Sequence, residues 1–395
     1  MTTHLIRIFS TALTISSASL AACSSDSGNS ANPTPDAGNG GDAAPSADSA
    51  TDGSGSTATL SDLHTLTTVS STVDPINGDK NPYALTFAPA NFTGDGVPNH
   101  VQPGDLVVSN FSDNTGANFR GTTFEALRDG KPVRVFSETN APTAAGGTVS
   151  SSGPVALAFA PNGNLWIANF GAKGDGSDGN VQIVTPGGKV AKTFTDPLVA
   201  GGWGQEFNHG AGGHAAFFTV NIVTGAVVRI NIIVADAGPP SFTLDVLTGD
   251  LGHSATSAGG TPIGAGGLVH DAKTDTLYVA NGSTNAIVAI SNASVTTTVS
   301  SGVDVFKGTP LHQPALMTRN PVNGDLIVAN QLDNNVVEIS TAGAMVAVRA
   351  ANPAMVSATG ANSALFGVAA TKDAAGNLVV YFVDDTDDTV KKLTR

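Results

Sequence analysis

The sequence predicts an all-β ring built from six repeated units of four short strands, and three observations predict it. The first is a recurring beat. Pro161-Asn162-Gly163-Asn164-Leu165-Trp166-Ile167-Ala168-Asn169 is a turn signal, then four apolar or small residues, then Asn. It returns as Asn323-Gly324-Asp325-Leu326-Ile327-Val328-Ala329-Asn330 and as Thr274-Asp275-Thr276-Leu277-Tyr278-Val279-Ala280-Asn281. The second is the spacing. The polar residue ending this strand falls at Asn110, Asn169, Asn221, Asn281, Asn330 and Asp384, at intervals of 59, 52, 60, 49 and 54 residues. A period of about 40–60 residues holding several strands is the signature of a β-propeller. The third is composition. The 395 residues include 46 glycines but only 13% charged residues, which suits tight turns between short strands. No window places helix formers at 3.6-residue spacing.

The chain opens on a different kind of sequence. Residues 1–22 carry one Arg, Arg7, and a modestly apolar run from Ile8 to Ala22, the outline of a secretory signal. The only cysteine is Cys23, so no intramolecular disulfide can form. The ending Leu20-Ala21-Ala22-Cys23 resembles a bacterial lipoprotein lipobox. That resemblance implies lipidation at Cys23, and Ser24 after it implies the outer membrane if the cell is Gram-negative. The expected localisation is the bacterial envelope, with the membrane as partner through the lipid. Residues 23–60 then form an expected disordered tether of Ser, Gly, Asp, Ala and Pro, which lacks the apolar side chains to offset its ordering entropy. As a coil it reaches about 35 Å.

The domain expected over 61–395 divides into units whose second strands are apolar on both alternations, as in Leu326-Ile327-Val328-Ala329. Such a strand belongs in a sheet covered on both faces. In unit two the strands are expected at Val155–Ala160, Leu165–Ala168, Val181–Thr185 and Lys189–Phe194. Fourth strands are expected at Lys131–Phe136, Lys189–Phe194, Phe242–Leu247, Ser294–Val299 and Ala344–Val348. The sixth unit stops after a third strand, Thr389–Leu393, while Leu66–Ser71 is unused at the other end. If that stretch supplies the missing outer strand, the chain ends latch together and no seam stays open.

The pattern Leu277-Tyr278-Val279-Ala280-Asn281 followed by Ala286-Ile287-Val288-Ala289-Ile290 resembles the YVTN and NHL propeller repeats, over about residues 63–395. Unit two, from Gly163 through Val190, is also similar to one blade of the streptogramin lyase propellers, which carry a Glu where Asn169 stands. These resemblances imply architecture. Related six-bladed lactonases and lyases place their sites at the central channel, but fold alone does not carry chemistry.

A net charge of −14, or −15 once Arg7 is removed, repels nucleic acid and anionic surfaces, so no nucleic-acid partner is expected. Links between blades share a face with the connections from strand two to strand three. The expected links are 138–153, 196–214, 249–266, 302–314 and 351–364, and they hold His209, His214, His253, His312 and Trp203. Loops on a rigid scaffold are where binding residues concentrate, so these five are the candidate ligand residues. His64, His100 and His270 fall outside them. Three readings stay open for the histidines: solvated loop residues, a divalent metal or acid–base site, or a platform for an apolar or carbohydrate ligand using Trp203. No local His pair with ligand spacing singles out the second reading, so no cofactor is required. The repeated Asn is expected to close its turn. The acidic turns at 175–180 and 384–388 have calcium-like composition without EF-hand spacing. The leading expectation is a monomeric binding or scaffold module at the envelope, for a protein, carbohydrate or small molecule. The alternative is a metal-dependent lactonase- or lyase-like enzyme at the same face.

Overall fold

The structure is a computed structural model, and it describes residues 59–138, 141–142, 148–149, 152–208, 215–234, 239–254, 262–356 and 362–395. Among them the only helix is a 3-10 turn at Leu60–Asp62, and everything else regular is β. The signal sequence and all but the end of the expected tether, Cys23 included, lie outside the described residues. The propeller spans 57–233 and 241–395.

The chain begins with β1 (Thr65–Ser71). Blade one is β2 (Lys80–Phe87), β3 (Leu106–Ser112), β4 (Thr123–Arg128) and β5 (Lys131–Ser137). A short pair, β6 (Ala141–Pro142) and β7 (Thr148–Val149), lies in the link to blade two. That blade is β8 (Pro154–Phe159), β9 (Leu165–Asn169), β10 (Asn180–Val184) and β11 (Val190–Phe194). Blade three is β12 (Gly202–Phe207), β13 (Ala215–Asn221), β14 (Ala226–Ile233) and β15 (Ser241–Val246). Ahead of blade four, β16 (His253–Ser254) pairs on the inner strand. The blade itself is β17 (Ile263–Asp271), β18 (Thr276–Asn281), β19 (Ala286–Ser291) and β20 (Val303–Lys307). Blade five is β21 (Pro314–Arg319), β22 (Leu326–Asn330), β23 (Asn335–Ile339) and β24 (Met345–Ala350). Blade six has β25 (Val368–Lys372), β26 (Leu378–Asp384) and β27 (Thr389–Thr394), and its outer strand is β1. The innermost strands contact one another in the closed order β2, β8, β12, β17, β21, β25 and back to β2. The chain is a six-bladed β-propeller.

Closure follows the expected route. β1 runs antiparallel to β27, from Thr65 opposite Thr394 to Ser71 opposite Thr389. The segment before it reaches further, to blade five. The Leu60 amide donates to Glu338 at 2.5 Å, and Arg349 donates to the carbonyls of Leu60 and Ser61. Leu60 and Leu63 are fully buried against Ile327, Leu365 and Leu393.

Apolar side chains fill the space between blades, as two-sided strands require. Phe124 and Val107 of blade one meet Ile167 and Leu165 of blade two. Trp166 stacks on Phe217 of blade three with ring centroids 4.2 Å apart. Trp166 is therefore core.

Two expected boundaries change. The fourth strand of unit four is Val303–Lys307, and Ser294–Val299 is a turn region whose Ser294 is held by Asp275. The link after blade two is also much shorter than 196–214. β12 occupies 202–207 as an inner strand, and β17 begins already at Ile263. Both are glycine-rich because the axis is crowded. A Cβ on Gly204 would lie 1.7 Å from the Gly266 carbonyl oxygen, and one on Gly267 would lie 2.4 Å from the Met317 amide nitrogen. Only glycine allows inner strands this close.

Candidate functional site

The inner strands share a local irregularity. Against its neighbour, each slips register between Pro82 and Leu85, Pro154 and Ala156, Gly202 and Gln205, Ala265 and Leu268, and Pro314 and Met317. Only β25 runs against β26 without a slip. A bulge bends its strand and re-aims the side chains that follow. Just beyond these slips stand Leu85, Leu157, Gln205, Leu268 and Met317, and with Val368 they form a ring of one residue per blade around the axis.

That ring divides the channel. On one side a funnel of about 730 Å³ opens outward. On the other a narrower continuation of about 40 Å³ runs past Ala84, Ala156 and Gly267. Beyond it the described channel is filled by aromatic rings. Tyr83 of blade one stacks on Phe366 at 3.8 Å and meets Trp203 of blade three edge-on at 5.9 Å. Blades one and three are not neighbours, so this contact crosses the axis. The ring is apolar but for Gln205. Placed to satisfy both groups, the Gln205 amide donates to the Trp166 carbonyl and accepts from the Ala168 amide, each at 2.9 Å. Its polar atoms are thus spent on blade two.

The mouth of the funnel is charged. Glu206, Asp271, Lys273 and Arg319 line it, with His270 and Thr318 beside them. These residues end the inner strands or begin the turns to the second strands. The funnel therefore opens on the face of those turns, opposite the inter-blade links. Asp271 and Arg319 pair across blades four and five at 3.0 Å. Burial pushes the Asp271 carboxyl up, but Arg319 and the Lys273 amide outweigh it and hold the group below the usual carboxylate range. The same Asp271 accepts the Lys273 amide at 3.0 Å, which fixes the turn that carries Lys273. No carboxylate lies within ion-pair distance of the Lys273 ammonium among the described residues. His270, fully buried, is held by Asp275 at 3.0 Å and packs against Phe218.

Of the five candidates named from the sequence, Trp203, His253 and His312 are among the described residues. Trp203 is 3% exposed and belongs to the aromatic filling, so it is no open platform. Its neighbour Phe170 covers it at 5.7 Å. His253 and His312 do lie in inter-blade links, each with its Nδ1 on a carboxylate: Asp250 at 2.9 Å and Asp333 at 2.7 Å. His209 and His214 lie outside the described residues. Among the described residues no three His, Cys, Asp or Glu side chains come together as metal ligands.

The repeated Asn does more than close its turn. The Asn281 oxygen accepts the Ser283 amide at 3.0 Å, and the Asn281 amide donates to the Leu251 carbonyl in the preceding link at 2.6 Å. Asn110, Asn221 and Asn330 likewise donate to Thr72, Pro197 and Pro310. In blade six the polarity reverses: Asp384 accepts from Asn352 of the link. These residues staple five of the six links to their blades, while in blade two Asn169 donates to Asn180 of its own blade. The acidic turn after Asp384 is filled by its own cation, since the Lys391 ammonium contacts Asp384 at 2.6 Å and Asp387 at 2.8 Å.

No protein-family model matches the chain, and no curated protein matches it. Solved structures do. Virginiamycin B lyase from Staphylococcus aureus is 13% identical, over 84% of this chain and 99% of that one, with a TM-score of 0.49. A gluconolactonase from Xanthomonas campestris is 12% identical over 83% and 88%, at 0.49. A protein of unknown function from Bacteroides thetaiotaomicron is 10% identical over 83% and 75%, at 0.50. At such identities the likeness is one of fold.

Sequence reasoning missed the funnel residues because its rule favoured the linking loops. The available signal was positional. Asp271 and Arg319 stand where an inner strand ends, a place filled by Phe87, Phe159 and Phe207 in the first three blades. Charge there breaks the repeat.

Proposed function

We propose that this protein is a ligand-binding propeller of the bacterial envelope, held by a lipid on Cys23, whose small-molecule ligand seats in the axial funnel. One observation carries the reading: six inner strands, five of them bulged, converge one side chain each on a single ring at the floor of a cavity of about 730 Å³. That volume lies in the range of small-molecule sites, which are concave, mostly apolar and edged by a few fixed polar groups. The funnel has each of these attributes. Its floor is rigid, because the strands behind it are locked between blades.

The test fills the funnel from below. Leu268→Trp puts an indole at the ring. Saturation-transfer NMR with a panel of monosaccharides, lactones, short carboxylates and amphiphiles is run on both proteins. At least one member is expected to bind the wild type and lose its signal in Leu268→Trp, with the melting temperature of the variant confirming its fold. If every binder survives the substitution, the funnel is not the site.

A further inference from the structure

We infer that the funnel takes a short amphiphilic carboxylate, its apolar tail on the axial ring and its carboxylate on Lys273. This rests on the funnel being the binding site and adds the chemistry of the ligand. Two features of the cavity point the same way, and they lie at opposite ends of it.

The floor is apolar by construction. Leu85, Leu157, Leu268, Met317 and Val368 face the axis from five blades, and the sixth residue, Gln205, has its amide turned away onto blade two. A polar ligand end seated there meets no side-chain donor or acceptor, so its lost hydration is replaced only at the strand backbones. An alkyl end loses nothing polar and removes apolar surface from water. The narrower space of about 40 Å³ under the ring adds room for the end of a chain, and the side chains around it are apolar apart from Gln205.

The mouth supplies the complement. Arg319 is engaged by Asp271, and the same Asp271 pins the turn that presents Lys273. That leaves the Lys273 ammonium as the cation at the mouth without a carboxylate partner among the described residues. The whole chain carries a net charge of −14, which disfavours anions at long range. At physiological salt that field is screened beyond about 8 Å, so a direct contact with Lys273 outweighs it. Two or three strand residues separate the ring from the mouth, Met317 to Arg319 and Leu268 to Asp271. At about 3.3 Å per residue this is roughly 7–10 Å, the reach of a short chain and too little for a long one.

The experiment titrates the full-length chain carrying Cys23→Ser, which needs no detergent, by isothermal calorimetry with four probes. Sodium octanoate has tail and carboxylate, acetate the carboxylate alone, octanol the tail alone, and octyltrimethylammonium the opposite charge. Octanoate is expected to bind at one site, with acetate, octanol and octyltrimethylammonium each weaker by at least about tenfold. Lys273→Glu is expected to weaken octanoate by at least about tenfold and to strengthen octyltrimethylammonium, while Leu268→Trp removes octanoate binding. Acetate equal to octanoate overturns the tail. Octyltrimethylammonium as the tightest probe overturns the head and assigns it to Glu206. Octanoate binding that survives Leu268→Trp overturns the site. If a sugar or lactone binds the funnel and octanoate does not, the ligand class fails while the funnel stands. If no small molecule is displaced by the indole, the funnel itself fails.

Discussion

Glu138 shows how far a single residue can depart from its ordinary chemistry. It is buried, and among the described residues neither carboxylate oxygen has a hydrogen-bond partner. Burial raises its pKa to about 8, and the neighbouring Asn169 amide only moderates the rise. The unfolded chain keeps an ordinary value near 4.5. The folded state therefore binds a proton that the unfolded state releases. The group's contribution to stability is complete below about pH 4.5 and is lost as pH climbs through 8. A tenfold difference in proton affinity between the two states is worth ~1.4 kcal/mol, so the loss amounts to several kcal/mol. Glu138→Gln keeps the shape of the neutral acid and removes the titration. Chemical denaturation at intervals from pH 4.5 to 9 is expected to show the wild type weakening steadily and the variant weakening less, the two curves diverging with pH. Parallel curves would mean that Glu138 is solvated in the native protein.

At the scale of elements, legibility followed side-chain chemistry. The second strands were readable because they are flanked by blades on both faces and must be apolar throughout. The inner strands β12 and β17 were not. Gly202-Trp203-Gly204-Gln205 reads as a loop until the approach of Gly204 to Gly266 shows that the axis admits no Cβ there. Missing β12 made Trp203 look like a loop residue. The latch strand was legible, because leftover β sequence at one end matched a missing strand at the other. The segment before β1 was not, since nothing local marks Leu60 as a partner of Glu338. Removing Leu60–Ser71 takes away the outer strand of blade six and two buried leucines, each contributing about 1.5–3 kcal/mol of burial. The truncated protein is expected to melt well below the wild type and to associate through the uncovered edge of β27. Scanning calorimetry and light scattering measure both, and an unchanged melting temperature would show that the ring closes without the latch.

For the whole molecule, the face on which the chain enters the ring is set by its N-terminal segment. Thr65 pairs with Thr394 at the end of the third strand of blade six, and Leu60 binds Glu338 near the end of the third strand of blade five. Third strands end on the face where the inner strands also end. The described chain thus enters the propeller on the side of the funnel mouth. Cys23 lies 37 residues before Leu60 in the sequence. If the thiol carries the lipid, a chain of this composition gives the domain a reach of about 35 Å from the surface. The whole chain carries a net charge of −14, which disfavours an anionic surface. Membrane association should therefore rest on one atom, the Cys23 sulfur. Expressed in a Gram-negative host and fractionated by ultracentrifugation, the wild type is expected in the membrane pellet and Cys23→Ser in the soluble fraction. Metabolic labelling with a palmitate analogue should mark only the wild type. A Cys23→Ser protein that still pellets would place the anchor elsewhere in the chain.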